Sequence, residues 1–156
     1  MELIKLLENN YDKIVSEACK VVSKDKLRSY KNAEKDATKC KLEDLLKKVI
    51  QCVKKKDLLP MLNYTEKIAN ERFSAGYDLF EVQMAINDLE FIIWNYIFKE
   101  IKPEKLRDYL GLVTTILGAG KDHLARTYVF LATKIKTPSL NLQNLFSGSE
   151  SIANDN

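Results

Sequence analysis

Glycine and proline are scarce in this chain, five and three among 156 residues. Tight turns and hairpins draw on those two residues, so a β-rich fold is starved of its connections and helices are favoured. Cys19, Cys40 and Cys52 form no CxxC pair and bring no histidine spacing with them, which argues against a disulfide framework or a zinc cluster. A single histidine, His123, excludes a multi-histidine metal site and a histidine relay cluster. Net charge is slight as well: 25 basic against 22 acidic side chains give +3, with the signs interspersed, so no nucleic-acid partner is implied. No apolar run is long enough to span a bilayer, and Met1-Glu2-Leu3-Ile4-Lys5 turns polar at Glu8-Asn9-Asn10 before any signal-peptide core forms. These features lead to the expectation of a soluble, cytoplasmic protein without membrane insertion.

What is present is hydrophobic periodicity, in a chain long enough to bury one core. Leu3, Leu6, Leu7, Asn10, Ile14, Ala18 and Val22 recur at helical steps and predict a helix over about 2–22. Residues 23–39 are polar and read as a link, with one turn around Leu27–Tyr30. Leu42, Leu45, Leu46, Val49, Ile50 and Val53 predict a second helix that Pro60 ends, and Asn63 is placed to cap a third over Tyr64–Ser74, stopped by Gly76. Asp78-Leu79-Phe80-Glu81 reads as a capping box that opens a long helix. That helix is apolar on two faces: Val82, Ile86, Leu89, Ile93 and Ile97 make one, and Met84, Phe91, Trp94 and Phe98 the other. Pro103 suits the first turn of a last helix running to Pro138. Beside its core stripe, Gly111, Gly118, Ala125 and Ala132 recur every seven residues, a row of small side chains that lets another backbone approach. The tail 137–156 is polar and is expected to be disordered or a linker remnant.

Sites of chemistry are hard to find. The basic run Lys47-Lys48 and Lys54-Lys55-Lys56 is read as the solvated face of a helix. Gly118-Ala119-Gly120-Lys121-Asp122 looks like part of a phosphate loop, but Thr115 stands where its first glycine belongs and Asp122 where its Ser/Thr belongs. It also falls inside a helix, whose amides are already bonded. No Ser or Cys occupies a strand-to-helix elbow, and the carboxylates alternate with lysines along wet faces. The chain is therefore read as a binding protein and not an enzyme. The aromatic group around residues 73–98 divides between core, dimer contact and the wall of an apolar pocket.

The stretch Glu71-Arg72-Phe73-Ser74-Ala75-Gly76-Tyr77-Asp78-Leu79-Phe80-Glu81-Val82, followed by a long helix, a Pro-containing turn and a longer last helix, resembles the amino-terminal sensor domain of RsbR-type stressosome proteins. With the opening helix, the resemblance covers about the first 136 residues. It implies an all-α, globin-like helical bundle with two long C-terminal helices, a domain over 1–136, no haem, and a homodimer formed through those two helices. Relatives of that type continue into a carboxy-terminal STAS domain. A chain that stops after a polar tail is more similar to the stand-alone sporulation-inhibitory sensor-domain proteins of bacilli, which resemble a kinase sensor domain and hold a fatty acid where a haem would sit.

The resemblance thus implies a non-haem sensory or regulatory protein that binds a fatty acid or similar apolar ligand and acts on a sensor histidine kinase or a stressosome component. An alkyl chain gains roughly 0.8 kcal/mol per buried methylene, so such a ligand needs no catalytic groups. The expected ligand-binding residues are Arg72, Phe73, Tyr77, Val82, Ile86, Leu89, Leu117, His123 and Leu124, with Arg72, His123 or Arg126 holding a carboxylate head. The expected dimer interface is Met84, Phe91, Trp94, Phe98, Gly111, Gly118 and Ala125. The alternatives are a ligand-free helical interaction or dimerisation module and, on His123 alone, a haem-binding gas sensor. The segment Tyr64–Ser74, in the place of a globin's haem-binding helix, contains no histidine.

Overall fold

The computed structural model describes residues 1–24 and 35–136. Among them are six helices and no strand: α1 (Glu2–Asn9), α2 (Tyr11–Lys24), α3 (Lys35–Lys55), α4 (Leu59–Ser74), α5 (Leu79–Glu100) and α6 (Pro103–Lys136). The fold is all-α. One connected hydrophobic core joins all six helices, and the apolar stripes read from periodicity supply most of it, with Leu3, Leu7, Ile14, Leu46, Val49, Leu89, Ile93, Leu117 and Leu124 nearly or wholly inaccessible.

The helix boundaries depart from periodicity at three places. The single helix expected over 2–22 is two, divided at Asn10 (φ −105°, ψ 11°). Asn10 occupies an apolar position of the stripe and is buried, so its amide must find partners. Its Nδ2 donates to the Leu6 carbonyl at 3.0 Å and to both Glu100 carboxylate oxygens at 3.1 and 3.2 Å, which ties the bend to the end of α5.

The polar link is shorter than expected. α2 continues to Lys24 and α3 begins at Lys35, so Lys35–Lys39 are helical, while the turn expected at Leu27–Tyr30 lies outside the described residues. Thr38 is buried, and packing of that kind outweighs the weak intrinsic preference of a polar segment.

Pro60 does not end a helix but begins one. α3 stops at Lys55 because Lys56 takes the left-handed conformation (φ 53°) and the Asp57 N–H donates back to the Cys52 carbonyl at 3.3 Å, a Schellman closure built on a lysine. α4 then opens at Leu59, whose N–H donates to Asp57 Oδ1 at 3.0 Å, with Pro60 in the first turn where a missing N–H costs nothing. Asn63 is exposed inside α4 and is not its cap.

The remaining junctions match their signals. Gly76 is left-handed (φ 80°), with the Tyr77 N–H closing on the Arg72 carbonyl at 2.9 Å. Asp78 caps α5 by accepting the Phe80 N–H at 2.9 Å, the second helical amide and not the third that a capping box uses. Ile101 and Lys102 turn the chain from α5 into α6, and the two pack as a hairpin. α6 makes its most extensive contact with α4, where Gly120 leaves room for the buried Met61 and Thr65 side chains.

Candidate functional site

Two places carry the residues expected to bind. The first is a cleft between α3, α4 and α5, walled by Leu42, Leu45, Ile68, Val82, Ala85 and Ile86 with Thr38 and Thr65 beside them; Lys41, Tyr64 and Arg72 complete its lining. The apolar positions come from three helix faces that each repeat at three- or four-residue spacing, which is why one cleft forms where they converge. Lys41 holds the Glu71 carboxylate at 2.5 Å, and this hydrogen bond keeps the Glu71 carboxyl below its ordinary value. The Tyr64 hydroxyl donates to the Lys41 carbonyl at 3.0 Å. The Arg72 guanidinium lies 4.4 Å from the centre of the Tyr77 ring, a cation–π stack.

The cleft encloses about 40 Å³. That is room for a few water-sized groups and not for a whole alkyl chain. Of the nine expected ligand residues, Arg72, Val82 and Ile86 line it. Phe73 and Tyr77 stand on its α6 side: Phe73 meets Tyr128 edge-on at 5.5 Å, and the Tyr128 hydroxyl donates to the Tyr77 carbonyl at 3.1 Å. Leu89, Leu117 and Leu124 are wholly buried in the core and do not reach the cleft. His123 is not among the lining residues either; its Nε2 lies 3.7 Å from Glu66 Oε2 on α4. Lys41 and Tyr64 carry no signal in the sequence that marks them, whereas Leu42 and Leu45 belong to a stripe that periodicity does reveal.

The second place is the outer face of the α5–α6 hairpin. Phe91 and Phe98 are more than half exposed, and Met84 and Trp94 half-buried. On α6 Gly111 is exposed and Gly118 and Ala125 are half-buried. A Cβ placed on Gly111 or Gly118 would meet nothing within 4 Å. Phe80 and Val129, also exposed, stand four residues before Met84 and four after Ala125 and continue the two rows by helical phase. Beneath this face Lys121 bridges the helices, donating to Asn87 Oδ1 at 2.8 Å and to Glu90 Oε2 at 3.0 Å, so the glycine-flanked lysine that looked like a phosphate-loop fragment is spent on a structural ion pair.

Among the described residues no three metal-ligating side chains gather, and no helix is long and apolar enough to cross a membrane. Comparison with known proteins finds no matching family model, no similar curated protein and no similar solved structure.

Proposed function

We propose that this chain is a non-enzymatic signalling protein that forms a homodimer through the outer face of α5 and α6 and regulates by binding. The observation that carries this reading is the pairing of an apolar row at seven-residue spacing, half-buried Met84 and exposed Phe91 and Phe98, with a row of small residues, Gly111, Gly118 and Ala125, on the adjoining helix. Burying a phenylalanine is worth roughly 1.5–3 kcal/mol, so an uncovered row of them favours a partner. Glycine and alanine let a second helix come near enough to cover it.

The order of six helices with two long ones last, and a cleft between α3, α4 and α5, supports the non-haem globin-like sensor suggested by the resemblance to RsbR-type domains. α4 carries no histidine, which speaks against haem. Arg72 at the cleft suits the carboxylate of a fatty acid, whose chain would enter by separating α3 from α5. A sensor histidine kinase or a stressosome component, itself carrying such a domain, is the matching protein partner. The small volume of the cleft favours a second reading, a ligand-free interaction module.

Native mass spectrometry of the purified chain, beside denaturing mass spectrometry of its solvent extract, tests both. A dimer that releases a stoichiometric fatty acid supports the sensor. A dimer that is empty and is not stabilised by added fatty acid supports the ligand-free module. A monomer at every concentration removes the proposal.

A further inference from the structure

The outer face of the α5–α6 hairpin has a register as well as a composition. Met84, Phe91 and Phe98 follow one another along α5 in steps of seven residues, and Ala125, Gly118 and Gly111 run the other way along α6 in the same steps. Lys121 relates the heights of the two helices, because its Nζ donates to Asn87 Oδ1 at 2.8 Å and to Glu90 Oε2 at 3.0 Å. From the level midway between Asn87 and Glu90, about three residues on along α5 and three back along α6 set Phe91 beside Gly118. The shared step then sets Met84 beside Ala125 and Phe98 beside Gly111. Phe80 and Val129, both exposed, fall level with each other in the same series.

The rings do not fill the space over the glycines of their own chain. Phe91 and Phe98 are more than half exposed, and a Cβ on Gly111 or Gly118 would meet nothing within 4 Å. A closed two-fold dimer of a two-helix face has its dyad either across the helices or along them. A dyad across them lays α5 on the partner's α5 and α6 on the partner's α6, so rings meet rings and glycines meet glycines. One hairpin, locked side by side on its core, cannot hold a wide and a narrow helix separation together at native packing density. A dyad along them lays α5 on the partner's α6 at unchanged height, and each ring then meets the open space over a glycine. By helical phase the α5 stripe carries no charge and one exposed amide, Asn87, so the exposed Asp122 and Arg126 of α6 meet no like charge across such a contact.

We infer that two copies associate about a dyad parallel to α5 and α6, with Phe91 and Phe98 of each seated over the partner's Gly118 and Gly111, so that both α6 carboxy-terminal ends leave the same end of the dimer. The inference rests on the homodimer proposed above and deepens it by fixing its orientation and register.

Pulsed electron double resonance between nitroxides at Thr133→Cys, in the full chain with Cys19→Ala and Cys40→Ser, reads the orientation. Thr133 is exposed near the end of α6, and the buried Cys52 stays in place. A dyad along the helices keeps the two labels at one height and separates them only by the width of a helix bundle and the label arms, about 15–30 Å. A dyad across the helices at Gly118 sets each label fifteen residues to either side, about 45 Å apart at 1.5 Å per residue. That longer distance would overturn the inference and leave the homodimer standing. A paired substitution, followed by light scattering over a concentration series, reads the register. Gly118→Phe should weaken association about a hundredfold by overpacking the contact. Adding Phe91→Ala to the same chain should recover about tenfold of that loss, because the new ring enters the space vacated on the other copy. Losses that only add in the double variant would overturn the seating of Phe91 on Gly118. A monomer at every concentration of the unaltered chain would overturn the inference together with the homodimer.

Discussion

Gly118 and Gly120 stand two residues apart on α6 and meet different surroundings. A Cβ on Gly120 would lie 2.9 Å from Met61 Cγ and 3.1 Å from Thr65 Cγ2, side chains of α4. A Cβ on Gly118 would meet nothing within 4 Å. The inward face of the hairpin uses glycine because the Met61 and Thr65 side chains of α4 already fill that space, and the outer face has the same residue with no occupant. Two neighbouring glycines in one helix thus mark a filled contact and an open one. The same contrast holds on α5, where Leu89 and Ile93 are wholly buried while Phe91 between them is 58% exposed.

The largest effect should come from the open face. Replacing Phe91 and Phe98 together with alanine should weaken self-association by about 4 kcal/mol, about a thousandfold in Kd, since buried aromatic anchors each contribute about 2 kcal/mol or more. Light scattering over a concentration series checks this, and an unchanged mass would make the two faces alike in having no partner. Gly120→Val should destabilise the folded chain by about 1–3 kcal/mol through overpacking against Met61 and Thr65, read from urea unfolding. Full stability in that variant would show that the inward contact is loose.

Gly111→Ala should stabilise the monomer by about 1 kcal/mol, the ordinary helix preference of alanine, because nothing opposes the added methyl group. Measured at concentrations where the chain is monomeric, a loss in place of that gain would mean that the outer face is already covered. The smallest effect belongs to the cleft mouth, on neither face. The folded Glu71 carboxyl is held below its ordinary 4.5 by its hydrogen bond to Lys41. Its contribution is present above that value and is lost as pH falls through the lower folded value. The Glu71 side chain is 40% exposed, so solvent screening limits this to a few tenths of a kcal/mol, and Lys41→Met should flatten that part of the pH profile.

How much was legible follows the physics of each signal. The all-α class, the stop at Gly76, the cap at Asp78 and the run of α6 from Pro103 were readable because each depends on backbone preferences of the residues themselves. The two faces of α5 were readable because 3.6-residue periodicity sorts side chains by direction. The bend at Asn10 was not, since Asn10 fits an apolar stripe by position and only its bonds to Glu100, ninety residues away, explain it. The end of α3 was not either, because a lysine in the left-handed turn leaves no mark that glycine or asparagine would leave.

The candidate sites divide the same way. Phase along a helix placed Val82 and Ile86 inward and Phe91 and Phe98 outward, but phase alone could not tell a cleft wall from a core. Leu89, Leu117 and Leu124 point inward like their neighbours and end in solid packing. His123 was chosen as the one histidine, and the crossing of α4 over α6 sets it beside Glu66.

By itself the sequence determined that this chain is helical, where most of its helices begin and end, and which side of each is apolar, because propensity, capping and periodicity are local. Tertiary structure alone decided where α3, α4 and α5 leave a cleft, which glycine of α6 is a close contact and which is open, and that a lysine closes α3. Those depend on where helices distant in sequence cross, and a crossing is a property of the whole core.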